Sequence, residues 1–337
     1  MQLYAGIDLH SNNNYLVISQ SDEKIVYQKR LPNYIDCIVD ELAPFKNELV
    51  GVVVESTYNW YWLVDGLETA GYKVHLANTT AIQQYNGLKH TNDKTDARWL
   101  AKLLQLNILP TGHIYPKEER GVRDLLRKRS QLVQQRTLNI LSLQTLIERN
   151  TSIRLSGDKI KKLSVDDLKK NFSDETIFIA AQSNLLIMQS IDEQVQVAEK
   201  KVLSLAKLKD VYKKLLTVDG IGKILALTIM LETGNINRFS KVGNYASYCR
   251  CVGSKKISNG KKKGENNRKN GNRYLSWAFI EAAHFAIRYN PTIKKYYQRK
   301  KSKTNQIIAI KTVSHKLARA CFYILKNGVE FDVTKSF

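Results

Sequence analysis

No stretch of the chain approaches the roughly 20 consecutive apolar residues of a membrane-spanning helix, and the N-terminus lacks the basic and apolar segments of a signal peptide. Cysteine is scarce, with four in all. Cys249 and Cys251 stand too close for an ordinary disulfide, and Cys37 and Cys321 lie far apart in segments that read as helical. The expectation is therefore a cytoplasmic protein with reduced, structural cysteines and no membrane partner. No P-loop motif is found, so nothing points to nucleotide hydrolysis. Acidic residues are outnumbered, 31 against 53 Lys and Arg, which leaves a net charge of +22. A polyanion, and nucleic acid in particular, is the expected partner.

The 337 residues suffice for two domains, each with its own core. From Leu3 to Ala77, β-like runs ("LYAGIDL", "YLVIS", "KIVYQK", "LVGVVVE", "KVHLA") alternate with helical ones from about Tyr34 and Trp60. Short polar turns join the first three. An antiparallel meander followed by parallel strands with crossover helices is predicted over 1–115, the order of a ribonuclease-H-like sheet. Over 116–208, Leu126, Val133, Ile140 and Ile147 recur every seven residues on one long helix. Met188, Ile191, Val195, Ala198, Val202 and Leu205 form the stripe of a second, with "TSIRLSGDKIKKLS" expected to be irregular between them. This long helical hairpin fits intramolecular packing and dimerisation equally. The remainder, 209–337, reads as all-α, interrupted by a polar stretch from Ser254 to Arg273. The fold class is thus α/β plus all-α. Gly-Ile-Gly at 220–222 fits a phosphate-contacting turn or a plain helix-packing corner.

Asp8 ends the first strand and Glu55 the fourth, while Asp93 and Asp96 sit three residues apart on one face of a helix. Alone, each has a bland explanation as a turn residue, a solvated strand end or a helix cap. Together on this sheet order they converge on one cleft. Four carboxylates in one cleft need cations, and hard divalent ions such as Mg²⁺ are suited to them and to a phosphodiester. The segment "GSKKISNGKKKGENNRKNGNRYLSWAF" gathers Lys255, Lys256, Lys261, Lys262, Lys263, Arg268, Lys269 and Arg273 around Ser254 and Ser258. It fits either a solvated phosphate-gripping loop or a site for a serine nucleophile.

Nearly the whole chain resembles the bacterial insertion-sequence 110 transposases, in its 1111 branch. The resemblance rests on "GIDLH", "VVVESTYNW", "HTNDKTDARWLAKLL", "VDGIGKILALTIMLETG", "RFSKVGNYASYC" and "KISNGKKKGENNRKNGNRYL", in that order. It implies a RuvC-like domain whose metal-binding tetrad maps onto Asp8, Glu55, Asp93 and Asp96. It also implies a C-terminal transposase domain whose catalytic serine, six positions before a glycine, maps onto Ser258 and Gly264. Many relatives have Gly after this serine where Asn259 stands here, and Ser254 is the second candidate. The family resemblance further implies a structured guide RNA beside double-stranded donor and target DNA, in the bacterial cytoplasm, and a homo-oligomer of two or four chains. Expected nucleic-acid contacts are Arg123, Arg127, Lys128, Arg129 and Arg136 on the first long helix, and Lys294, Lys295, Arg299, Lys300, Lys301 and Lys303 near Tyr289, Tyr296 and Tyr297. A solvated helix face is the plain reading of both basic runs. Two rivals remain: a metal-dependent junction nuclease acting by hydrolysis, and a non-enzymatic RNA-binding protein.

Overall fold

The computed structural model describes residues 2–82, 92–206, 210–265 and 269–337. The chain divides into two compact units, one made of 1–117 with 256–270, the other of 118–255 with 271–337. The long helical pair thus belongs to the second unit instead of standing apart, and the segment around Ser258 belongs to the first.

In the first unit, β1 (Leu3–Leu9), β2 (Asn13–Gln20) and β3 (Ile25–Pro32) form an antiparallel meander. Helix α1 (Ile35–Leu42) leads to β4 (Leu49–Glu55), and α2 (Tyr61–Thr69) to β5 (Val74–Ala77). The sheet order is β3-β2-β1-β4-β5, with β4 parallel to β1 and β5 parallel to β4. β1 is buried along its whole length, as befits a central strand, and Leu3, Ile7, Leu9, Val52 and Val54 pack with Leu63 and Leu67 of α2. Helix α3 (Asp93–Gln105) lies against β1 and β2. Gly6 permits this: a Cβ there would stand 2.1 Å from the Ala97 carbonyl oxygen and 2.8 Å from the Ala101 nitrogen. The helix backbone rests directly on the strand.

The second unit contains α4 (Lys117–Thr151), α5 (Gly157–Ile160), α6 (Val165–Asn171), α7 (Glu175–Ala206), α8 (Asp210–Leu215), α9 (Lys223–Thr233) and α10 (Val242–Tyr248). After the excursion of β6 (Lys256–Ser258) and β7 (Lys261–Gly264) into the first unit, it continues with α11 (Arg273–Tyr289), α12 (Pro291–Lys303), α13 (Gln306–Asn327) and α14 (Val333–Ser336). The segment expected to be irregular, 151–164, carries one short helix, α5, and α6 follows it, opened by a capping box between Ser164 and Asp167. Ile160 of α5, Leu168 of α6 and Phe172 just after it pack with Ile140, Leu143 and Ile147 of α4 and Leu185 and Met188 of α7. The apolar stripe is therefore satisfied at this end within one chain. Around α9, which is buried from Leu225 to Thr233, the other helices form a second core containing Tyr245, Phe279, Leu317 and Phe322. Gly220 is a packing corner, since a Cβ there would meet the Ala282 carbonyl oxygen of α11 at 2.3 Å. Among the described residues no helix is long and apolar enough to cross a membrane.

Candidate active site

Parallel pairing of Ile7 with Val54 places the next residues, Asp8 and Glu55, side by side at one edge of the sheet. Asn92 caps α3, its side chain accepting from the Thr95 amide at 2.9 Å. The capping role thus falls to Asn92, and Asp93 and Asp96 lie in the first turn, where the helix dipole favours anions. With α3 docked at Gly6, its first turn lies over the end of β1.

Electrostatics bind these acids into one group. Burial, a hydrogen bond with Asp8, and the charges of Asp8 and Asp96 push the Glu55 carboxyl up to about 8. Burial and the charges of Asp8 and Asp93 raise Asp96 as well, against a smaller pull from His10. Asp93 moves the other way, lowered chiefly by its hydrogen bond from Arg30 at 2.5 Å. Such a set costs the fold stability, and clusters of this kind concentrate at functional sites.

His10 was not anticipated. Its Nε2 lies 3.3 Å from both Asp8 Oδ2 and Asp93 Oδ1. Its backbone carbonyl accepts the side-chain amides of Asn33 and Asn59 at 3.0 and 2.9 Å, which holds the β1–β2 turn in place. Ligand atoms of Asp8, His10 and Asp93 all lie within 4.8 Å of one another. Asp96 Oδ1 is buried with no hydrogen-bond partner, an orphan that a cation would satisfy. Carboxylate oxygens with one imidazole suit a divalent ion. The signal for His10 was its place two residues after Asp8, across the strand's end.

Ser258 closes β6 and pairs with Lys261 of β7. Asn259 and Gly260 between them have φ of 48° and 68°, both left-handed, the geometry of the tight turn favoured in two-residue hairpins. The segment is thus a β-hairpin rather than a loose loop, and Asn-Gly was its readable signature. Ser258 and Lys256, Lys261, Lys262 and Lys263 are exposed on it. The hairpin shares the compact unit of the acidic group, and the Asn78 side chain donates to Asn270 Oδ1 at 3.4 Å. Ser254 and Lys255 belong to the second unit, where Ser254 Oγ is buried and unbonded. Lys269 is exposed, and Arg268 lies outside the described residues.

Four of the expected nucleic-acid contacts, Arg123, Arg127, Arg129 and Arg136, form ion pairs within the protein. Arg123 is buried, its Nε 3.3 Å from Glu232 Oε2, so its charge is spent inside the protein. Arg127 donates twice to Glu232, at 2.6 and 2.8 Å. Arg129 pairs with Glu199 at 2.6 Å across the long helical pair, and Arg136 pairs with Asp192. Glu232 is 1% exposed, and its carboxyl is held below the ordinary range, the pull of Arg127, Arg123 and Asn272 overcoming the upward push of burial. Tyr296 is likewise buried, edge-on to Phe337, whereas Tyr289 remains exposed. Arg273 is exposed beside Tyr274.

Residues 5–150 match a transposase family of the DEDD type named for insertion sequence IS110. Residues 212–298 match the family described as Transposase IS116/IS110/IS902 family. A protein of Streptomyces coelicolor described as an insertion element IS110 uncharacterized 43.6 kDa protein is 20% identical over 190 residues, covering 53% of this chain and 47% of that protein. The chain spans about half the length of this curated relative.

Proposed function

Since the chain carries an N-terminal and a C-terminal transposase domain of the IS110 family, we propose that it cuts and rejoins DNA as an insertion-sequence transposase. The observation that carries this reading is the acidic group of Asp8, Glu55, Asp93 and Asp96 in the same compact unit as the Ser258 hairpin. The sheet order β3-β2-β1-β4-β5 supports a RuvC-like assignment for that unit.

In this reading the four acids hold Mg²⁺, with His10 beside Asp8 and Asp93. A divalent ion held there would supply Lewis-acid charge that offsets the negative charge building on the phosphodiester oxygens. Ser258 Oγ gives up its proton and forms a bond to phosphorus, while the bond from phosphorus to one deoxyribose oxygen breaks and that oxygen takes a proton. The phosphoseryl bond keeps the energy of the phosphodiester. A hydroxyl on another strand then attacks phosphorus, the bond to Ser258 breaks, and the serine regains its proton. Lys256, Lys261, Lys262 and Lys263 on the hairpin offset the phosphate charges. The charge of +22 supports a polyanionic partner; in this reading the partners are double-stranded donor and target DNA and an element-encoded guide RNA, and the protein works as a homo-oligomer in the cytoplasm of a bacterium.

A denaturing gel of end-labelled element DNA, incubated with the protein, its copurifying RNA and Mg²⁺, tests the serine. Label should migrate with wild-type protein and with neither Ser258→Ala nor Asp8→Ala. Ser254→Ala should retain the adduct. An adduct persisting in Ser258→Ala removes that residue from the reaction. Efficient cleavage with no adduct in any variant favours the hydrolytic nuclease instead.

A further inference from the structure

A cavity of about 780 Å³ is lined by α4 and by the first turns of α11, all within the second unit. Its volume falls in the range of small-ligand sites, roughly 300–1,000 Å³. Arg127, Lys128, Arg273 and Asp124 line it, together with Tyr274 and Trp277. The Arg127 guanidinium lies 4.5 Å from the Tyr274 ring centre and that of Arg273 4.9 Å, and Arg273 also donates to the Tyr274 hydroxyl at 2.9 Å. Trp277 follows Tyr274 by three residues, on the same face of the helix, and is 39% exposed while its neighbours Ala278 and Phe279 are fully buried in the core.

This wall is built to be stiff. Buried Glu232 fixes Arg127 through two hydrogen bonds and accepts the Asn272 side-chain amide at 2.7 Å. The Asn272 carbonyl oxygen in turn caps α11 at Tyr274 and Leu275. One carboxylate therefore sets both the guanidinium and the start of the helix that carries the two aromatics, so little ordering remains to be done on binding.

Aromatic faces beside guanidinium planes, with further cations at hand, match the two halves of a nucleotide: a base to stack and a phosphate to neutralise. Bases within a duplex are already stacked and offer no face. We infer that this cavity holds an unpaired nucleotide of a single-stranded nucleic acid, its base stacked on Trp277 and its phosphate on Lys128 and Arg273. The inference rests on the nucleic-acid reading above but needs neither the acidic group nor Ser258. The strand is either RNA or a displaced strand of DNA, and both present the same chemistry.

The test uses the full chain and three labelled probes: oligouridylate, oligothymidylate and a DNA duplex, followed by fluorescence anisotropy. Trp277→Ala should weaken single-strand binding about tenfold, as expected for loss of one stacked base, and leave duplex binding and the salt dependence unchanged. Trp277→Phe should restore most of the affinity. Arg273→Gln should weaken single-strand binding and lower its salt slope by about 0.7. Melting temperatures verify folding, and exposed Trp277 should tolerate both changes. A larger loss on oligouridylate assigns the strand as RNA, a larger loss on oligothymidylate as DNA, and equal losses support the shared chemistry. Unchanged single-strand affinity in folded Trp277→Ala, or equal loss on strand and duplex, overturns the inference. The serine adduct is scored separately: an adduct formed normally by a Trp277→Ala protein that binds single strands normally removes only this inference. Trp277-dependent binding with no adduct in wild type removes only the serine chemistry.

Discussion

Glu55 shows what a single residue contributes to and costs in this site. Its carboxyl, raised to about 8 in the fold from 4.5, binds a proton that the unfolded chain has released at intermediate pH. Between those values the folded state holds more protons than the unfolded one, so stability must fall as pH rises through that window. Glu55→Gln keeps the shape and a hydrogen-bond donor toward Asp8 but cannot ionise. In EDTA, its melting temperature should exceed that of wild type by an amount that grows from pH 5 to pH 9, the interval around the raised value. With Mg²⁺ added the order should reverse, because a cation stabilises the ionised wild-type cluster and Gln supplies no charge. Parallel melting curves for the two proteins across pH would show that Glu55 does not carry the shared proton. His10 belongs to the same scale: its place two residues after Asp8 was its one mark in the sequence, since an isolated histidine after a strand has no periodicity, and the approach of α3 brings Asp93 to it.

At the scale of elements, positioning comes from close backbone contact. Gly6 lets α3 sit on β1, and that contact sets the height of Asp93 and Asp96 over Asp8. Gly6→Ala places a methyl 2.1 Å from a carbonyl oxygen of a helix that cannot yield locally. The expected result is a displaced α3, a destabilisation of about 1–3 kcal/mol, as for other overpacked sites, and loss of DNA cleavage beyond what the reduced folded fraction explains. Calorimetry with an activity assay at matched folded fraction decides it. Full activity in the folded variant would mean that the height of α3 does not govern the acids. The strands were legible in the sequence because alternating and continuous apolar runs are strong signals, and they fixed the neighbours of β1. The short helices α5 and α6 were not, since four and seven residues give too little periodicity, and their marks are the N-cap Ser156 and the Ser164–Asp167 capping box. The β6–β7 hairpin was masked by lysines, which hide its strand pattern, although Asn259-Gly260 announces the turn. The Glu232 network was illegible for another reason: Arg127 lies 105 residues away, and nothing local pairs the two.

For the whole molecule, the charge of +22 counts only where cations face outward. Composition alone cannot sort them, and it led to a nucleic-acid reading of Arg123 and Arg129 that the buried and inter-helix ion pairs redirect. The hairpin lysines are the contrasting case, since Lys261, Lys262 and Lys263 are exposed beside Ser258. Each phosphate neutralised on duplex DNA releases condensed counterions, so affinity falls with salt in proportion to the number of phosphates neutralised. Replacing these three lysines by glutamine should reduce the slope of log affinity against log salt by about 2.7, or about 0.9 for each phosphate left without its lysine. The melting temperature should stay close to that of wild type, because exposed side chains on a two-stranded ribbon contribute little to a core. Replacing Lys159, Lys161 and Lys162 in and just after α5, by contrast, removes the same charge from the second unit and tests whether the effect is local. Titrations of a labelled duplex over a range of potassium chloride concentrations measure both slopes. If the two triple variants lower the slope equally, net charge alone governs binding; a reduction confined to the hairpin variant places the DNA backbone against the strand that carries Ser258.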